Sequence, residues 1–125
     1  MTAEELCTIM DYGGWSSEWL ADVLTMNGDR LVRRWQTGAR GIPDDVAAWI
    51  EELSALMKEP PNVAGWDGLR LRNVMWRWLD GKYVDVVPEV GAWLEAIGAV
   101  LDCAPKVAGR PMERGDYVQQ ERGDG

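Results

Sequence analysis

Arg30, Arg33, Arg34 and Arg40 fall within eleven consecutive residues that contain no acid, in a chain of 125 residues with a formal charge of −8. At about 3.6 residues per helical turn, Arg30, Arg33, Arg34 and Thr37 share one face, and Leu31, Val32 and Trp35 the opposite one. Guanidinium groups are planar forks that pair with guanine edges in the major groove and with phosphates. A short amphipathic helix preceded by a turn, cationic on one side and apolar on the other, suits that groove. On this reading Arg30, Arg33 and Arg34 contact bases or phosphates, Asn27 and Thr37 add hydrogen bonds, and Arg40 meets the backbone. The alternative use of the same pattern is a solvated, charged surface helix.

Other chemistries find little support in the residue types. Histidine is absent, which removes the commonest general base and transition-metal ligand. Cys7 and Cys103 have neither disulfide-framework nor zinc spacing, and both are expected as buried small hydrophobes. No nucleophile–base or metal constellation is visible, so neither an enzyme nor a cofactor or metal is expected. Eight tryptophans and no phenylalanine place most of the aromatic packing on indoles, which are expected in the core. The acidic balance argues against non-specific coating of nucleic acid. It leaves room for a specific reader, because Asp44, Asp45, Glu51, Glu52 and Glu59 follow the arginines and segregate the charge.

The elements that must position the cationic face are helical. Thr2 to Glu5 fits a capping box ahead of an apolar stripe of Leu6, Ile9 and Met10, with an end near Tyr12-Gly13-Gly14. Ser16 or Ser17 can cap a second helix carrying Trp19, Leu20, Val23 and Leu24. Met26-Asn27-Gly28-Asp29 is turn chemistry: Gly28 can take a positive φ, and Asn27 or Asp29 can cap a third helix from about Asp29 to Thr37, stopped at Gly38. Pro43 is expected as the first residue of a fourth helix, with Asp44 and Asp45 at its positive dipole end. Its inner face is Val46, Trp49, Ile50, Leu53 and Leu56 or Met57, and Glu59-Pro60-Pro61-Asn62 breaks it.

The chain also repeats itself. Residues 46–63 align without gaps on 90–107 with seven identities in eighteen positions, among them Trp49/Trp93, Glu51/Glu95 and Pro61/Pro105. Upstream, Arg34-Trp35 followed by Gly38 matches Arg77-Trp78 followed by Gly81 after a one-residue shift, and Gly14-Trp15 is echoed by Gly65-Trp66. The second copy has no room for a counterpart of helix two and reads as a truncated duplicate. Its helices are expected over about Asp67 to Leu79 and Pro88 to Leu101, with a short extended piece at Tyr83 to Val87. Arg70, Arg72, Arg77 and Lys82 make it locally basic, which allows a second DNA contact. Packing on the first half or a dimer interface is the other use for this copy.

The pattern Gly14-Trp15-Ser16, Trp19-Leu20-Ala21-Asp22-Val23-Leu24, Val32-Arg33-Arg34-Trp35-Gln36-Thr37-Gly38 and Ile42-Pro43 resembles the lambda-repressor-like (Cro/XRE-type) helix-turn-helix proteins of bacteria and phages. The resemblance covers about residues 3–57. It differs at two points: the stretch from Leu24 to Trp35 is one residue longer, and Ser17 or Glu18 stands where the family often has glutamine at the start of helix two. A glutamate there repels phosphate, leaving Ser16, Ser17 and the helix amides for that contact. The resemblance implies an all-α fold with a helix-turn-helix DNA-binding unit over 1–59. The internal repeat adds a degenerate helical unit over 60–107, and the Gly-, Arg-, Asp-, Glu- and Gln-rich composition from Ala108 onward leads us to expect a flexible tail over 108–125. The DNA-contacting set it implies is Ser16, Ser17, Asn27, Gly28, Arg30, Arg33, Arg34, Thr37 and Arg40.

Together these features lead us to expect a sequence-specific transcriptional regulator, a repressor or autoregulator of phage or bacterial type. It is expected to bind double-stranded DNA as a homodimer on an inverted-repeat operator, since one recognition helix reads few base pairs. No stretch has membrane-spanning length, and the start lacks a basic n-region, so a cytoplasmic protein is expected. The rival is a protein-binding adaptor or inhibitor on the same scaffold, engaging a partner through its acidic surface, its tryptophans or its second half.

Overall fold

The computed structural model describes residues 1–107, which form six α-helices and no strand among those residues. The expected tail over 108–125 lies outside the described residues. α1 (Ala3–Gly13) opens on the expected capping box: the Thr2 hydroxyl accepts from the Glu5 amide at 3.0 Å and the Glu5 carboxylate accepts from the Thr2 amide at 2.8 Å. That second bond holds the Glu5 carboxyl below its usual value. α2 (Ser17–Val23) is capped by Ser16, whose hydroxyl accepts from the Trp19 amide. α3 (Arg30–Thr37) ends at Gly38, where φ is +81°.

α4 (Asp44–Lys58), α5 (Gly68–Leu79) and α6 (Pro88–Asp102) complete the chain. Pro43 is the N-cap of α4 and not its first residue: its ψ of 146° is extended, while its carbonyl already accepts from the Ala47 amide. The expected extended piece at residues 83–87 forms no strand; Val84, Val86 and Val87 lie half-buried against the core. The one isolated bridge among the described residues joins Val63 and Trp66.

Both halves share one core. α3 packs on α1 and α2, α1 packs on α4, α5 packs on α6, and the most extensive helix contact is between α4 and α6. Leu6, Leu20, Leu24, Val32, Val46, Ile50, Leu53, Val90 and Ile97 are fully buried. The Val107 amide donates to the Leu24 carbonyl and ties the end of the second half to the end of α2. Tryptophan carries the aromatic packing as expected, with Trp15, Trp35, Trp49 and Trp93 buried. Cys7 is half-buried, but Cys103 is exposed, contrary to expectation, because it sits at the C-cap of α6 beyond the packed turns.

The repeat is visible as geometry. α4 and α6 are both 15 residues long and begin and end at aligned positions. They run antiparallel: the Trp49 indole at the start of α4 donates to the Val100 carbonyl near the end of α6 at 2.7 Å, and the Trp93 indole at the start of α6 donates to the Leu56 carbonyl near the end of α4 at 2.8 Å. Trp49 aligns with Trp93 and Leu56 with Val100, so each copy gives what it receives, as in an isologous contact between two-fold related subunits.

Candidate nucleic-acid interface

α3 is held by its apolar face. Val32 and Trp35 are buried at 0% and 1% exposure, Leu31 is half-buried, and the Cys7 thiol on α1 donates to the Gln36 carbonyl at 3.5 Å. With that face inward, Arg30, Arg33 and Thr37 must face out, and they are exposed, while Arg34 is half-buried. The partition expected from the sequence is therefore the one the packing produces. Neither Arg30 nor Arg34 forms an ion pair among the described residues.

Arg33 is different, because the turn before α3 supplies an acid. Its Nε donates to Asp29 Oδ2 at 2.9 Å, and the same oxygen accepts the Ser17 hydroxyl at 2.6 Å. Asp29 is at the N-cap position yet makes no side-chain cap bond; its carboxylate instead links α2 to α3. The Ser17 hydrogen bond, above all, and then the Arg33 charge hold the Asp29 carboxyl below its usual value, against an opposing push from desolvation. A carboxylate lodged among the arginines subtracts from the cationic face, a feature missed by reading the basic stretch from Arg30 onward. The Asp29–Arg33 spacing of four residues was the signal that could have revealed half of it. The Ser17 link depends on how α2 meets α3.

The remaining expected contacts divide. Ser16 is exposed with its oxygen engaged as the α2 cap, and Ser17 spends its hydroxyl hydrogen on Asp29. Thr37 donates to the Arg34 carbonyl at 3.2 Å and accepts from the Ala39 amide at 3.4 Å, so its hydroxyl finishes α3. The Arg40 amide donates to the same Arg34 carbonyl, which fixes the chain leaving the helix. Asn27 and Gly28 are exposed in the 24–29 segment, Gly28 at φ +91°, with open space where a side chain would stand. Thr25 in that segment adopts φ +55°, a left-handed backbone on a β-branched residue.

The second basic group is mostly occupied. Arg70 stacks 3.9 Å from the Trp66 ring centroid and donates to the Gly65 carbonyl at 2.7 Å. The Arg72 guanidinium lies across Gly14, and Lys82 pairs with Asp80 at 3.4 Å. Arg77 is exposed and forms no ion pair among the described residues. α5 is seated on the first half by Trp76, whose indole donates to the Gly13 carbonyl at 3.2 Å and whose ring meets Trp19 edge-on at 5.1 Å.

Among the described residues no helix is long and apolar enough to cross a membrane, and no group of His, Cys, Asp and Glu is placed to hold a metal ion. The chain matches no protein-family model, no curated protein and no solved structure in comparisons with each.

Proposed function

We propose that the protein is a sequence-specific DNA-binding regulator in which α2 and α3 form the helix-turn-helix pair and α3 is the reading helix. The observation that carries this reading is the outward cationic face of α3: Arg30 and Arg34 without ion pairs among the described residues, and Arg33 with its side chain 68% exposed, on a helix anchored by Val32 and Trp35. Rigid support matters because base readout needs guanidinium groups held at fixed positions relative to the groove. Such a protein acts on transcription by occupying its site. The body's net charge of −8 opposes DNA approach away from the arginines, which favours one docking orientation.

The test is selection of bound fragments from random duplex DNA by the wild-type protein and by an Arg33→Ala/Arg34→Ala variant with intact helicity. Enrichment by the wild type alone supports the reading; enrichment by neither at low salt removes it.

A second reading, a protein-binding module, is favoured by one feature. Tyr12 and Leu69, two of the three exposed large hydrophobics among the described residues, flank a groove of about 470 Å³ floored by Met57, Leu71, Met75 and Trp93. Clustered exposed apolar residues mark interaction sites more often than scattered ones. Partner binding that is lost in Tyr12→Ser/Leu69→Ser and kept in the arginine variant favours this alternative.

A further inference from the structure

We infer that one chain contacts duplex DNA at two places, through the α3 face and through Arg77 at the end of α5, with the α4–α6 pair supplying internally the two-fold relation that a second subunit would otherwise provide. This inference rests on the DNA-binding reading above. Its first support is the reciprocal pair of bonds between α4 and α6, which makes the two long helices exchangeable: Trp49 to the Val100 carbonyl, Trp93 to the Leu56 carbonyl. Even the terminal carbonyls are treated alike. Leu56 also accepts from the Glu59 amide and Val100 from the Cys103 amide, again at aligned positions.

The likeness extends to the C-terminal ends of the helices that precede them, though not to their packing, since α5 lies on α6 whereas α3 lies on α1 and α2. α3 and α5 both finish in Arg-Trp followed by a left-handed glycine, Gly38 at φ +81° and Gly81 at φ +82°. In each copy the arginine carbonyl accepts from a backbone amide beyond that glycine, Arg34 from Arg40 and Arg77 from Lys82. Each end is tethered to its long helix by a short connection, residues 39–43 in one copy and 82–87 in the other. Arg77 is thus the counterpart of Arg34, and of Arg70, Arg72, Arg77 and Lys82 it is the one that neither stacks on a ring, lies across Gly14 nor forms an ion pair among the described residues.

The copies are unequal, and that decides the kind of site. α5 is a single helix of 12 residues that runs through the positions of the turn before α3, so the second copy has no counterpart of α2. It therefore offers a phosphate contact at Arg77 without a base-reading arrangement. The matching DNA site is asymmetric: one segment with base preference under α3, and a flanking segment held through its backbone with little sequence preference. The inner face of α4 is already taken by α6, so a second copy of the chain does not have that face to dock on.

The experiment uses the duplex enriched by the full-length wild type from a random pool, labelled for anisotropy. Dissociation constants are followed against salt for wild type, Arg34→Ala, Arg77→Ala and Arg77→Lys, and light scattering gives the mass of the complex. The expected result is one chain per duplex, a non-palindromic motif, a log–log salt slope reduced by about one in Arg34→Ala and in Arg77→Ala, and a restored slope in Arg77→Lys. Two chains on a palindrome, or an unchanged slope in Arg77→Ala beside a reduced one in Arg34→Ala, overturns the inference and leaves the DNA-binding reading standing. No enrichment by the wild type overturns both.

Discussion

Trp49 and Trp93 exchange partners across the α4–α6 contact: each indole donates to a carbonyl in the last turns of the other's helix, at 2.7 and 2.8 Å. Carbonyls in a helix's last turn have no partner within the α-helical ladder. Here the Leu56 and Val100 carbonyls accept from the Glu59 and Cys103 amides, and each indole adds a second donor that ties the two helices together at both ends of the interface. Trp49→Phe and Trp93→Phe should each cost about 1–2 kcal/mol, the lost hydrogen bond plus imperfect filling of the indole's place. Denaturant unfolding of both variants checks this. Similar costs are expected because the two sites are counterparts, and a near-zero cost at both would show that the bonds contribute nothing.

At Thr25, φ is +55° and the hydroxyl donates to the Leu24 carbonyl at 2.7 Å. A left-handed backbone on a β-branched residue costs of the order of 1–2 kcal/mol, and glycine removes that strain while adding freedom to the unfolded chain. Thr25→Gly should therefore raise stability by about 0.5–1 kcal/mol net. Urea midpoints of the two proteins, compared at equal slope, decide the sign.

Gly13 closes α1 against Trp15. A side chain there meets the Trp15 indole, with Cδ1 at 2.7 Å, and Trp15 is itself pinned by donation to the Met57 sulfur at 3.2 Å. Alanine usually gains about 1 kcal/mol over glycine inside a helix. Here the steric conflict with a buried ring should win, and Gly13→Ala should destabilise by about 1–3 kcal/mol. A thermal melt that rises in place of falling would show that the ring can retreat.

Asp29 carries a pH dependence of definite sign. Its carboxyl titrates below the usual value because the Ser17 hydroxyl, first, and the Arg33 guanidinium favour the charged form. Its contribution to stability is therefore present above the ordinary carboxylate value and is lost as pH falls through the lowered one. Ser17→Ala should move the Asp29 titration upward, and Asp29→Asn should remove this component from the acid limb of the stability curve. Carboxyl NMR titration reads the first effect, and unfolding at pH 3–7 reads the second.

The same residue bears on the proposed interface. Replacing Asp29 with Asn frees Arg33 and deletes a negative charge from the cationic face, so binding to the selected duplex should tighten and its salt slope should steepen by about one. Arg30→Ala should instead cost about 1–3 kcal/mol of binding and relax one position of the motif if it reads a base. Anisotropy titrations on matched and single-mismatch duplexes separate these effects, and weaker binding by Asp29→Asn would show that its link to Ser17 positions the helix more than its charge repels DNA.

Much of the architecture follows from local sequence. Thr2 and Glu5 specify the start of α1 and Ser16 that of α2, because caps act within a few residues of one another. Gly38 marks the end of α3 because little else tolerates its φ. The division of α3 into Val32 and Trp35 inside and Arg30 and Arg33 outside follows from helical periodicity alone, and the repeat of 46–63 at 90–107 is written in residue identities. What the tertiary structure decided is who meets whom. The Ser17–Asp29 bond between α2 and α3, the Trp76–Gly13 bond that seats α5 on the first half, and the exposure of Cys103 each depend on how separate helices or turns come to rest. The pairing of Trp49 with Val100 and of Trp93 with Leu56 turns a linear repeat into a two-fold contact. Periodicity constrains which side of a helix is buried, whereas the partner across the interface is selected by packing of the whole core, and no window of sequence contains that information.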